Sequence, residues 1–303
     1  MSAPGVRHGL LLPNAGYYAD PARLVDVAVR AEESGWDGLF LWDHLMFARE
    51  LRLPMADAWT VVTAILARTT RLRSGPLMTP LARRRPWKVA REATTLDHLS
   101  AGRLVLGAGL GAEPDLDFAA FGEPAGPRTR AAKLDEALRV LSGLWRGTEF
   151  SHTGEHYRVD RATFLPTPRG TDRHGHPAVT VWSAATWPAS QTGALRRAAR
   201  LDGVAPMVRD DHGQLRGPEP AELTAILSRL AELAPEQPPD RPYEVVALDR
   251  SRPGTGQAAD RTGLLAAAGA TWRIEAFDPW RRSPKELTGW LDAGPPDNDR
   301  RAV

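Results

Sequence analysis

With no cysteine in the sequence, a glycine loop, an arginine run and scattered histidines are the first features to weigh for chemistry. That absence removes thiolate nucleophiles, disulfides, and cysteine-bound zinc or iron–sulfur centres. Gly107-x-Gly109-x-x-Ala112 follows an apolar run directly, the spacing by which a dinucleotide-binding turn lets a pyrophosphate approach its backbone. Its surroundings oppose that use. It follows the fourth apolar run instead of the first, and Glu113-Pro114-Asp115 comes next. No acidic residue closes a second strand about twenty positions on. The glycines read better as room for something flat or bulky passing close to the backbone. Arg83-Arg84-Arg85 is the one massed basic group, suited to capping a loop or meeting a phosphate. His152-x-x-x-His156 and His174-Gly-His176 lack a convergent carboxylate, so they read as surface histidines and no metal site is expected. Neither a Gly-x-Ser-x-Gly elbow nor a phosphate-loop lysine motif occurs. Trp42 and Trp182, near the ends of apolar runs, are the tryptophans best placed to line a pocket.

Short apolar runs alternate with amphipathic ones along the chain. Strands are predicted over residues 8–12, 37–42, 71–78, 103–108, 178–183, 202–206, 243–248 and 270–277. Helices are predicted from Asp20-Pro21 to Ser34-Gly35 and over 57–68, 86–99, 129–145, 188–200, 218–233, 260–268 and 283–291. Asp20 supplies an N-cap and Pro21 a first helical residue without a needed N–H. Regular strand–helix alternation calls for a parallel sheet. Eight pairs are what an α/β (β/α)₈ TIM barrel requires, with a doubly wound open sheet as the rival. One domain is expected over 1–293, with insertions at about 111–128 and 147–177 over the C-terminal mouth, and a frayed tail over 294–303.

The 303 residues are 42% hydrophobic and 25% charged, an ordinary globular composition with a net charge of +2. The pI near 9.2 reflects arginine, since Lys88, Lys133 and Lys285 are the only lysines. Basic residues are scattered, so no nucleic-acid face is expected. No window approaches the ~18 apolar residues of a membrane span. The first residues show no signal-peptide pattern, so a cytoplasmic protein is expected.

Several ordered blocks carry a more specific signal. They are residues 31–45 (AEESGWDGLFLWDHL), 90–104 (AREATTLDHLSAGRL) and 107–111 (GAGLG), then Asp117-Phe-x-x-Phe-Gly122 and Arg130-x-x-Lys-Leu-Asp-Glu136. Residues 199–206 (ARLDGVAP), 268–272 (AGATW) and 293–296 (AGPP) follow in the same order. Together they resemble the bacterial luciferase-like monooxygenase superfamily over nearly the whole chain. The resemblance implies a (β/α)₈ barrel with FMN or the 5-deazaflavin coenzyme F420 over its mouth, and a small organic molecule as substrate.

The resemblance also implies site residues. Asp43 and His44 map onto an Asp-His pair near the flavin ring. A bulged third strand, often with a non-proline cis peptide, maps near Pro76 and Leu77, with Thr79 just beyond. Gly109 and Gly111 border the same ring. Histidine titrates near neutral pH and suits a positioned acid or base. Asp43 could tune it, although strand neighbours point to opposite faces. Deazaflavin dehydrogenases of the group place a proton-handling glutamate directly after the fourth-strand glycines. Here Ala112 stands there, with Glu113 one residue later as the candidate acid. Where relatives have glycines after the fifth strand, this chain has Ser183-Ala184-Ala185-Thr186, whose hydroxyls and N–H groups could hold the phosphate at the start of the next helix. The leading expectation is F420-linked hydride transfer. The alternatives are an FMNH₂-dependent monooxygenase using O₂ and a non-redox binding or regulatory protein on the same barrel. A separate flavin or deazaflavin reductase and a homodimer complete the expected partners.

Overall fold

Local signals start most of the helices. In the computed structural model, which describes residues 5–188, 192–234, 242–250 and 256–296, the Asp20 carboxylate accepts the Ala22 N–H at 3.0 Å. That caps α1 (Pro21–Glu33). Asp57 does the same for α2 (Ala58–Arg68) through Thr60 N–H at 2.8 Å. The remaining helices are α3 (Pro86–Ser100), α4 (Pro114–Asp117), α5 (Pro127–Trp145), α6 (Gly193–Ala198), α7 (Pro220–Leu233), α8 (Gly256–Ala267) and α9 (Pro284–Ala293). Capping boxes pairing Glu219 with Glu222 and Ser283 with Glu286 open α7 and α9.

The strands are β1 (Arg7–Leu12), β2 (Gly38–Leu41), β3 (Arg73–Pro76), β4 (Thr79–Pro80), β5 (Val105–Gly109), β6 (Phe150–Thr153), β7 (Arg158–Ala162), β8 (Thr180–Trp187), β9 (Gly203–Arg209), β10 (Leu215–Arg216), β11 (Glu244–Asp249) and β12 (Trp272–Ala276). The main sheet runs β3-β2-β1-β12-β11-β9-β8-β5-β4. Those pairings are all parallel; only the short β10, beside β9, is antiparallel. β3 and β4 are two halves of one bulged strand. The first half meets β5's approach through the Ser74–Leu104 bridge, the second pairs Thr79 with Ala108, and the ring closes. Counted so, eight parallel staves alternate with helices, as the sequence predicts.

The ring is a packed core. Phe40, Trp182 and Trp272, all fully buried, fill it with ring centroids 5.2–5.9 Å apart. Their polar edges are met at the N-terminal end. Glu244 accepts from the Trp182 indole at 2.8 Å and the Trp272 indole at 3.1 Å, and pairs with Arg7 at 2.8 Å and Arg73 at 2.6 Å. This plug seals the floor. Trp182 therefore belongs to the floor and not to a pocket at the mouth, because it is the third residue of β8 and not near its C-terminal end. Outside the ring, a large cluster packs α1, α2, α3, α5 and α9 against the strands. A second packs α6, α7 and α8 on β8, β9 and β11.

One expectation about the connections changes. Residues 111–126 do follow the C-terminal end of β5. Residues 146–179, however, lead from the end of α5 to the start of β8, and in a barrel such a helix-to-strand connection begins and ends at the opposite face. The β6–β7 hairpin lies along the flank of α3 and α5. Buried Glu136 of α5 holds it by accepting from the His156 and Tyr157 N–H groups at 2.9 and 2.7 Å and by bonding the His152 ring at 3.0 Å. Burial pushes the Glu136 carboxyl up, but these bonds outweigh it and hold its pKa below the usual range. The second insertion is thus a flank and not a roof. Of the predicted tail, residues 297–303 lie outside the described residues.

Candidate active site

β2 ends at Leu41 and delivers the next three residues to the mouth. His44 Nδ1 lies 2.7 Å from Asp117 Oδ2. Asp117, the last residue of α4, is fully buried. Its other oxygen accepts the Leu45 N–H at 2.8 Å, and Arg83 Nη1 lies 3.3 Å from Oδ2. Burial raises the Asp117 carboxyl, but the His44 hydrogen bond, the charges of His44 and Arg83 and the Leu45 N–H together hold it below the ordinary range. Facing an ionised carboxylate, Nδ1 carries a proton, and in the neutral ring Nε2 is then the acceptor. The arrangement is a histidine held in one tautomer by a carboxylate 73 residues away in sequence.

Asp43, the carboxylate adjacent in sequence, serves other groups. Its oxygens accept from Arg83 at 2.8 Å, Arg84 at 3.2 Å and the Trp59 indole at 3.3 Å. Arg83 bridges Asp43 and Asp117, so two members of the arginine run are spent on internal ion pairs and not on a phosphate. Side-chain alternation explains the division, since neighbours at a strand end point apart.

Thr79 is buried and accepts from the Trp59 indole at 3.1 Å. Between β3 and β4 the Leu77–Met78 peptide is cis, one residue beyond the predicted Pro76–Leu77. Leu77 is buried in the ring interior, where Met78 packs beside it. The glycines of β5 meet this bulge. A Cβ on Gly107 would lie 2.5 Å from the Pro76 carbonyl oxygen and 2.8 Å from Met78 Sδ. On Gly109 it would lie 3.0 Å from Met78 Cβ and 3.5 Å from Ala184 Cβ. The fingerprint-like spacing therefore serves the chain's own backbone at Gly107. Gly111 stands at φ +87°, its carbonyl and that of Leu110 accepting from Arg130 Nη1 at 2.9 and 2.8 Å. Glu113 precedes α4, partly exposed, and its carboxylate makes no capping bond to that turn.

The Ser183–Thr186 stretch is not a loop. β8 runs to Trp187, paired with β9 from Trp182–Gly203 to Trp187–Val208. Trp182 belongs to the interior cluster and Ala185 to the outer one. By alternation Ala184 and Thr186 face the ring's interior and mouth, while Ser183 and Ala185 face the helices. The next helix begins at Gly193 and not at Pro188; residues 189–191 lie outside the described residues.

Aromatic side chains surround His44. Trp42 and Phe47 meet its ring edge-on at 6.0 and 5.3 Å. Trp280, from the β12–α9 connection, stacks on Trp42 at 5.7 Å and 19° and on Phe47 at 5.2 Å and 28°. Sequence reasoning marked Trp42 but passed over Phe47, Trp280, Arg83's bridging role and Asp117. The Asp117-Phe-x-x-Phe-Gly122 block was the one signal within reach, and nothing local tied it to His44.

The luciferase-like monooxygenase family model matches residues 5–209. The F420-dependent glucose-6-phosphate dehydrogenase of Nakamurella multipartita is 33% identical over 171 residues, 55% of this chain and 49% of that protein. The enzyme of that name from Mycobacterium avium is 36% identical over 154 residues, covering 50% and 45%. The chain thus spans about half the length of these curated relatives. Among solved structures, an F420-dependent secondary alcohol dehydrogenase in complex with an F420-acetone adduct aligns over 96% of this chain and 98% of its own. Its TM-score is 0.73 at 17% identity. A long-chain alkane monooxygenase aligns over 99% and 92% with a TM-score of 0.69 at 14% identity. These likenesses establish the barrel.

Proposed function

The chain belongs to the luciferase-like monooxygenase family, and from that premise we propose that it is an oxidoreductase moving a hydride between coenzyme F420 and a small organic substrate. The observation that carries this reading is the His44–Asp117 pair at the mouth, a base or acid with one ring nitrogen committed and the other free. The names of the half-length relatives supply the deazaflavin and the hydride chemistry, and glucose 6-phosphate is the substrate named for them.

The residues at the mouth fit a flat ring. Gly109 and Ala184 offer little side chain on neighbouring strands, beside the Leu77–Met78 bulge and the buried Thr79. Pro76, Leu77 and Thr79 would form the bed, with Gly109, Gly111 and Ala184 at its edge. At the end of β8 the exposed Thr186 hydroxyl is the group best placed for a phosphate; Ser183 and Ala185 support the strand from behind. When bound, F420 supplies a two-electron hydride acceptor or donor. His44 Nε2 then takes the hydroxyl proton of an alcohol substrate, or returns it to the carbonyl oxygen in the reverse direction. Asp117 holds the ring and stabilises its protonated form. Asp43 fixes Arg83 and Arg84, and so the arginine that braces Asp117. Glu113 stands ready as a second proton carrier at the rim.

No described helix is long and apolar enough to cross a membrane. A cytoplasmic location, a separate reductase to recycle the cofactor, and a homodimer belong to this proposal as family-like features. Its test is a titration of the purified protein with F420 and with FMN, read by absorbance and fluorescence. Saturable F420 binding at micromolar concentration is expected. Tight binding of FMN alone would overturn the deazaflavin reading in favour of a monooxygenase, and binding of neither would leave a non-redox barrel.

A further inference from the structure

The substrate class is the open question at this site, and the wall beside His44 addresses it. Four rings from two connections converge there. Trp42, His44 and Phe47 follow β2, and Trp280 follows β12, two staves away across β1. Trp280 is 49% exposed, yet its indole lies nearly parallel to Trp42 and to Phe47. Its backbone N–H donates to Asp278 Oδ1 at 3.0 Å, which fixes the turn that presents it. A large apolar side chain held half in water on the two rings that border His44 is placed for contact with something that enters the mouth.

The geometry points to a flat, uncharged, apolar ring as the group recognised there, carrying the reacting alcohol or carbonyl carbon toward His44. Aromatic faces carry negative potential and favour offset-stacked or edge-on rings, a gain beyond the area covered. A phosphate dianion against the same faces gains nothing and loses its hydration. A quaternary ammonium would be attracted, but a cage for a cation needs faces set around it. Here the planes of Trp42, Phe47 and Trp280 lie within 19–42° of one another, which makes a slab. The slab distinguishes this chain's proposed substrate from the sugar phosphate named for its relatives. This inference rests on the proposed active site at His44, but its wall can be probed without cofactor.

The probe is acetophenone, with 1-phenylethanol as its alcohol. Binding of acetophenone to the cofactor-free protein is measured by equilibrium dialysis and tryptophan fluorescence, in competition with glucose 6-phosphate. Acetophenone is expected to bind saturably. Trp280→Ala should weaken it roughly 10-fold, Trp280→Phe should retain most of the affinity, and glucose 6-phosphate should not compete. Absence of acetophenone binding, equal affinity in Trp280→Ala, or competition by glucose 6-phosphate would overturn the inference. F420 titration of the same variants separates the two claims. If F420 fails to bind while acetophenone does, the deazaflavin reading falls and the ring-binding wall stands. With F420 bound, 1-phenylethanol should be oxidised with a kcat/KM at least ~100-fold above that for glucose 6-phosphate, and Trp280→Ala should act on KM.

Discussion

At the scale of single residues, two aspartates stand near one histidine and do different work. Asp117 bonds His44 directly, while Asp43 neutralises Arg83 and Arg84. Replacing His44 with Ala should lower turnover at least ~100-fold, the scale of a lost general acid or base, with F420 affinity changing far less. Asp117→Asn keeps the shape but removes the charge that fixes the tautomer. It should cut kcat about 10-fold or more and shift the pH–rate profile, whereas a merely structural loss would leave the profile where it was. Steady-state kinetics from pH 5 to 9 decide both. The sequence carried His44 to the mouth by resemblance, but its partner could not be read. Asp43 is the neighbour in the chain, and Asp117 becomes a neighbour only once α4 has folded over the end of β2.

At the scale of elements, the strand–helix rhythm was almost fully legible, because caps such as Asp20-Pro21 and apolar periodicity are local signals. Besides the short β4, β10 and α4, the far half of β8 and the β6–β7 hairpin escaped. Ser183–Thr186 has little strand propensity, and its pairing with Val204–Met207 is a contact no local window contains. The β6–β7 hairpin has short, mostly polar strands, and it is placed by buried Glu136 together with Phe150, Val159 and Ala162 packing on the main core. The bulge between β3 and β4 is equally a matter of packing. Gly107→Ala would put a methyl group against the Pro76 carbonyl oxygen and Met78 Sδ. We expect it to lower Tm by roughly 5 °C, from about 1–3 kcal/mol of overpacking, and to weaken F420 binding by disturbing the bulge. Gly289→Ala, in open space on α9, should be neutral or slightly stabilising. Calorimetry on the pair separates steric conflict from a general loss of glycine.

At the scale of the whole molecule, stability is tied to pH through the sealed end of the barrel. Burial raises the Glu244 carboxyl, but the charge and hydrogen bond of Arg73 and the indoles of Trp272 and Trp182 outweigh it and hold its pKa below the ordinary carboxylate range. A carboxyl with a lowered folded pKa contributes stability above its unfolded value, and that contribution fades as pH falls through the folded one. Glu244→Gln should therefore lower Tm by roughly 5 °C or more at pH 7 by leaving Arg73 short of its partner. The gap to the parent protein should narrow as pH drops below about 4.5. A gap that stayed constant down to pH 3 would show that the carboxylate's charge contributes nothing. The same plug also governs traffic. With Phe40, Trp182 and Trp272 filling the ring above it, the proposed cofactor bed is closed from below, and the proposed substrate wall stands on the mouth side. A cofactor in that bed, with substrate against the wall outside it, would enter first and depart last. Product-inhibition patterns should accordingly be those of compulsory-order turnover, with the cofactor as leading reactant.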